Sequence, residues 1–157
     1  MKKNCVGIVS ILLCLQFCSC TDQYTICNQS KFANLNASFY KITTGGEVDN
    51  TPASLTLSVL NSSSFIYNQQ PNVPLISTGL NPLADSVSYY IKLSVAMPAD
   101  TVKIVYSNSI KNLSLECGEI NVYDIIRINT TANTIDSIKI VNPAVRNDYQ
   151  KNLKIYY

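Results

Sequence analysis

From residue 33 onward the apolar side chains recur at every second position and never hold a 3.6-residue period for long. That alternation limits the chain to half-buried strands, because successive strand side chains point to opposite faces. The clearest run is Val87 to Val95, where Val87, Tyr89, Ile91, Leu93 and Val95 are assigned to a core and Ser88, Tyr90, Lys92 and Ser94 to solvent. Leu55, Leu57 and Val59 repeat the pattern, as do Val102, Ile104 and Tyr106, then Leu113, Leu115 and Cys117, and finally Leu153, Ile155 and Tyr157. Weaker strands are expected over Asn36–Ile42, Phe65–Tyr67, Ile120–Ile128 and Thr134–Val141. Turn formers separate them: Gly45-Gly46, Asn61–Ser63, Asn68–Pro74, Gly79–Pro82, Pro98–Asp100, Gly118, Thr130–Asn133 and Asn142-Pro143.

Eight or nine short strands of this kind predict an all-β body: an antiparallel β-sandwich of immunoglobulin-like general character, with an open β-barrel as the alternative. No linker or repeat divides residues 27–157, so one domain is expected. The final strand is expected to pair inside a sheet.

Residues 1–19 read as an export signal. Met1-Lys2-Lys3-Asn4 is a basic start, and Cys5–Phe17 is a thirteen-residue apolar run. In a helix it would rise about 20 Å, short of the roughly 30 Å hydrocarbon core of a bilayer. Phe17-Cys18-Ser19-Cys20 resembles a bacterial lipobox, in which a small residue precedes a cysteine that is lipidated before cleavage. Ser19 meets that need and makes Cys20 the candidate lipidation site, whereas Cys18 follows the bulky Phe17. The alternative is an ordinary secretory signal cut near Ser19 or Thr21. With Cys20 acylated, membrane lipid is the first partner expected, and residues 20–26 form a tether of about 20 Å when extended.

If the signal is removed and Cys20 anchors, only Cys27 and Cys117 remain of six cysteines. An even pair in an exported chain reads as a disulfide. The alternatives are two buried thiols, or Cys27 bonded to a partner protein.

Charge and composition remove several functions. The formal charge of +2 resides in Lys2 and Lys3, so the chain after the signal carries ten basic and ten acidic groups, and no nucleic-acid partner is expected. There is no histidine, which removes Ser-His-Asp and Cys-His chemistry. No phosphate loop, calcium loop or Ser-x-x-Lys arrangement is found, and no cofactor or metal is expected. Glu116 and Glu119 beside Cys117-Gly118 could form a carboxylate pair but read better as solvated groups at a hairpin. Tyr90, Tyr123 and Tyr156 are expected to face outward, where they could stack on a sugar or simply occupy favourable strand positions.

The stretch Asp136-Ser-Ile-Lys-Ile-Val-Asn-Pro-Ala-Val145 and the ending Asn152-Leu-Lys-Ile-Tyr-Tyr157 resemble the close of a family of small uncharacterised Bacteroidota envelope lipoproteins. A Cys-Gly pair like Cys117-Gly118 and a cysteine soon after the lipidated one are similar too. The resemblance implies a mostly β envelope lipoprotein and implies no activity. Asp85-Ser86-Val87, Asp100-Thr101-Val102 and Asp136-Ser137-Ile138 resemble O-glycosylation sites of exported proteins from such bacteria, making Ser86, Thr101 and Ser137 candidates; Asp-Ser and Asp-Thr are also ordinary turn-to-strand residues.

The expected role is a non-catalytic, lipid-anchored binding or structural module of the bacterial cell envelope, contacting an envelope protein or glycan. An outer-membrane anchor facing the periplasm is preferred over the cell surface. The alternatives are a carboxylate-only hydrolase acting on envelope glycans, joining acids such as Asp124 and Glu116, and a surface-fibre subunit.

Overall fold

The computed structural model describes residues 26–157, all of them in strands, turns or irregular segments. Among the described residues eleven strands form two sheets. The first contains β1 (Asn34–Thr43), β2 (Gly46–Asp49), β5 (Leu75–Gly79), β9 (Ser137–Ile140) and β11 (Leu153–Tyr156). The second runs β10 (Ala144–Val145), β8 (Gly118–Thr130), β7 (Asp100–Ser114), β6 (Ser86–Lys92), β3 (Leu55–Val59) and β4 (Phe65–Gln70). Neighbours are antiparallel apart from β1 and β11, which run parallel with Ala37 opposite Leu153 and Tyr40 opposite Tyr156.

The sheets face each other across one apolar core, as a β-sandwich requires. Leu35, Ala37, Phe39, Ile76, Leu153 and Ile155 come from the first sheet, and Leu57, Tyr89, Ile91, Val102, Ile104 and Ile120 from the second. A void of about 30 Å³ remains between them, lined only by core side chains such as Leu57, Ile76 and Ile104.

Three departures from the expected strands have local causes. The runs Val102–Tyr106 and Leu113–Cys117 are not separate strands: β7 continues through both as far as Ser114, and the chain turns at Leu115–Cys117. Leu115 therefore sits on a turn and is 97% exposed, not inward. Gly118 closes that turn at φ +72°, a conformation that glycine adopts without strain. Second, β6 ends at Lys92, and Val95, expected in the core, lies in the exposed segment that follows. Third, β2, β5 and β10 form where no strand is expected: β2 is exposed throughout, β10 has only two residues, and β5 alternates over no more than Ile76 and Thr78.

Candidate functional site

Three segments converge at one end of the molecule: the arm 26–33, the β7–β8 turn, and the loop 146–152 between β10 and β11. Their junction is the Cys27–Cys117 disulfide, which closes a loop of 90 residues. Asn147 Nδ2 donates to Ser30 O at 2.9 Å, holding the arm against the loop. Cys27, Ser30, Lys31, Phe32, Asp148 and Tyr149 line a shallow depression of about 900 Å³. Arg146 fixes the base of the loop, donating to Tyr123 O at 2.5 Å and to Asp124 Oδ1 at 2.7 Å. Tyr123 and Asp124 are both more than twenty residues from Arg146, so alternation could not have found this tie.

Two of the three tyrosines expected to face outward are buried. Tyr123, assigned to solvent, is buried, and its hydroxyl donates to Leu80 O at 2.9 Å. Tyr106 donates to Asn81 O at 3.0 Å and Tyr89 to Gly79 O at 3.4 Å. Side chains from β6, β7 and β8 thus cap three consecutive carbonyls of the crossing from the first sheet to the second. A chain segment passing over a sheet end must satisfy its carbonyls, and tyrosine supplies apolar bulk with a terminal donor. Burial drives the hydroxyls away from ionisation: Tyr89 is pushed up to about 12, and Tyr106 and Tyr123 shift in the same direction.

Tyr156, also expected outward, is buried beneath polar neighbours on the outer face of the first sheet. Its hydroxyl donates to Glu47 Oε2 at 2.5 Å, and Lys154 pairs with the other oxygen of Glu47. The ring lies 5.9 Å from that of Tyr40, over which Lys154 and Lys151 Nζ sit at 4.7 and 5.0 Å. Lys151 also donates to the Tyr40 hydroxyl. The hydrogen bond from Lys154, followed by that from Tyr156, holds the Glu47 carboxyl below its usual range. Two ammonium groups therefore sit over the Tyr40 ring, and the buried Tyr156 does not form an open platform. Tyr90, on β6, is half-buried.

The candidate modification sites separate. Ser86 is half-buried at the start of β6, its hydroxyl donating to Asp85 Oδ1 at 3.1 Å. Thr101 is half-buried, and the preceding Asp100 is committed to structure: 2% exposed, it accepts the backbone N–H groups of Asn133, Thr134 and Ile135 at 2.6 to 2.9 Å and the Thr131 hydroxyl at 2.7 Å. Asp100, assigned to a turn, is the cap of the loop after β8. Ser137 is exposed at the start of β9. Cys20 lies outside the described residues. Glu116 and Glu119 are exposed at the β7–β8 turn, and among the described residues no three metal-binding side chains gather.

The described residues thus define a disulfide-closed, all-β domain of two packed sheets. The chain belongs to the family of unknown function DUF6452, whose model matches residues 54–157. The match leaves out the arm, β1 and β2, and so contains only one of the two bonded cysteines. No curated protein and no solved structure matches the chain.

Proposed function

We propose that the protein is a lipid-anchored module of the bacterial cell envelope, held against a membrane by acylated Cys20 and serving as a non-catalytic binding or structural element. The observation that carries this reading is the position of the disulfide. Cys27 stands seven residues after the lipobox-like cysteine, and its bond to Cys117 pins the chain to the body there. A tether of about 20 Å leaves the body little freedom to leave the bilayer. A disulfide also suits an exported protein, since reducing compartments rarely keep one.

The carboxylates favour binding over acid–base chemistry. Asp100 is consumed by turn capping, Glu47 by Lys154 and Tyr156, and Asp124 by Arg146. We take the anchor to be in the outer membrane facing the periplasm, with an envelope protein or glycan as partner. The fibre alternative is weakened by the position of β11, which lies between β1 and β9 and so is not a strand to donate.

Metabolic labelling with an alkyne fatty acid tests the anchor. Wild-type protein should label and sediment with membranes, and Cys20→Ser should do neither; a variant that still labels removes the proposal. Protease shaving of intact cells reads the membrane face, and crosslinking in membranes followed by pull-down reads the partner.

A further inference from the structure

The end of the sandwich that carries the disulfide also carries the most protruding apolar side chains of the arm and its neighbouring turns. Leu115 is 97% exposed, Ile26 83%, Phe32 75% and Tyr149 73%. They come from the three segments that the disulfide and the Asn147–Ser30 bond bring together. Leu115 lies two residues before Cys117 and Ile26 one before Cys27, while Phe32 and Tyr149 flank the depression next to Cys27. Scattered exposed apolar residues are ordinary, but a cluster at one end is not.

We propose that this end is a membrane-docking surface: Ile26, Phe32, Leu115 and Tyr149 enter the interfacial layer of the bilayer to which Cys20 is anchored, in the manner of a monotopic protein. The proposal rests on the lipid-anchor reading above and adds an orientation to it. The tether argues for lipid as occupant. From Cys20 to Ile26 the chain can span about 20 Å at most, and it joins the body at the disulfide, so this end is the part nearest the membrane. The shape agrees, since Leu115 and Ile26 protrude from a turn and an arm on either side of the disulfide, as insertion between headgroups requires. Aromatic residues such as Phe32 and Tyr149 favour the interface, where a ring is partly desolvated and a hydroxyl stays wet. Lys31 beside Phe32 can meet lipid phosphate, while Asp148 and Glu119 nearby keep the charge mixed. Binding should therefore need no anionic lipid.

The chain has no tryptophan, so one introduced indole reports its own surroundings. Lipidated Leu115→Trp protein, reconstituted into zwitterionic phosphatidylcholine–phosphatidylethanolamine vesicles brominated on the acyl chains, should show blue-shifted emission. Its quenching should exceed about threefold that of Lys103→Trp, far along β7 from the turn, given an insertion depth of roughly 5–10 Å. Tyr149→Trp should behave like Leu115→Trp, and Phe32→Ser added to either should reduce the quenching. If the protein floats with the vesicles while neither indole is quenched, docking is wrong and the anchor stands. If Cys20 carries no lipid and the protein does not float, the anchor reading fails and the docking proposal falls with it. Shielding of the indoles in native membranes but not in protein-free vesicles would assign the surface to a protein and overturn lipid docking.

Discussion

Asn36 and Asn152 bind each other twice: the Asn152 N–H donates to Asn36 O at 2.8 Å, and the Asn36 N–H donates to Asn152 Oδ1 at 3.0 Å. Asn152, 2% exposed, also donates through Nδ2 to Asn142 O at 3.1 Å and Ala144 O at 2.9 Å. Its own carbonyl receives the N–H groups of Val141 and Asn142 at 2.9 and 3.2 Å. One side chain therefore joins the parallel β1–β11 pair to the Asn142-Pro143 step and to β10, linking both sheets.

Replacing Asn152 by Ala leaves a buried N–H and two carbonyls without their partner. Each unsatisfied group costs about 1–3 kcal/mol, so a loss of roughly 3 kcal/mol or more is expected. Urea unfolding followed by far-ultraviolet circular dichroism measures it. A loss under about 1 kcal/mol would show that water replaces the amide.

Asp100 ties stability to acid. Burial raises its pKa, but the hydrogen bonds from Asn133, Thr131, Ile135 and Thr134 outweigh this, and the folded carboxyl lies below its ordinary value of 3.8. A lowered folded pKa means stability that is full above the unfolded pKa and is lost as pH falls through the folded one. Wild-type stability should therefore decline below about pH 4 more steeply than that of Asp100→Asn. The variant should already be weaker at pH 7 by about 2–3 kcal/mol, since bonds to a charged acceptor are the strong ones.

The tyrosine caps predict a base-sensitive crossing between the sheets. Tyr89 is held at about 12, and Tyr106 and Tyr123 are also raised. With the folded pKa above the unfolded value of about 10, the stability they contribute is present below pH 10 and is lost as pH rises toward 12. Ultraviolet titration should show late-ionising tyrosines that titrate normally once urea unfolds the chain. Tyr106→Phe and Tyr123→Phe should each cost about 1–2 kcal/mol.

Opening the disulfide should lower stability by about 2–4 kcal/mol without dismantling the sheets, because it constrains the unfolded chain over its 90-residue loop. Cys27→Ser/Cys117→Ser protein should keep its β spectrum and unfold at lower urea. Limited proteolysis should cut its arm near Lys31 sooner. Unchanged cleavage there would mean that the Asn147–Ser30 bond and local packing hold the arm unaided.

Of the candidate glycosylation sites, Ser137 should be modified in preference to Ser86 and Thr101, since it is the exposed one of the three. Intact mass spectrometry of protein from its native host should show a sugar increment that Ser137→Ala removes. A mass equal to polypeptide plus lipid would refute modification at all three.

Val87 to Leu93 alternates in sequence and in space, with Tyr89, Ile91 and Leu93 buried, because ladders on both edges hold β6 flat while the first sheet covers one of its faces. Pairing of Cys27 with Cys117 followed from subtraction among six cysteines. The site is less legible. Leu115 fits the alternating pattern and yet is exposed, since periodicity does not say where a hairpin turns. Tyr123 has outward parity counted from Ile120 and Ile128, but a register irregularity at Ile126 places it opposite Asn108, on the same buried face as Tyr106.

The all-β class, the principal turns and the Cys27–Cys117 pair were legible in the order of residues, for these depend on local backbone preference and on counting. Only the folded chain shows that β11 runs parallel beside β1, that Asp100 caps a loop more than thirty residues away, and that Ile26, Phe32, Leu115 and Tyr149 are exposed on the segments joined at the disulfide. These outcomes depend on which distant surfaces meet. A two-residue period tells each strand which face to bury, but not against what.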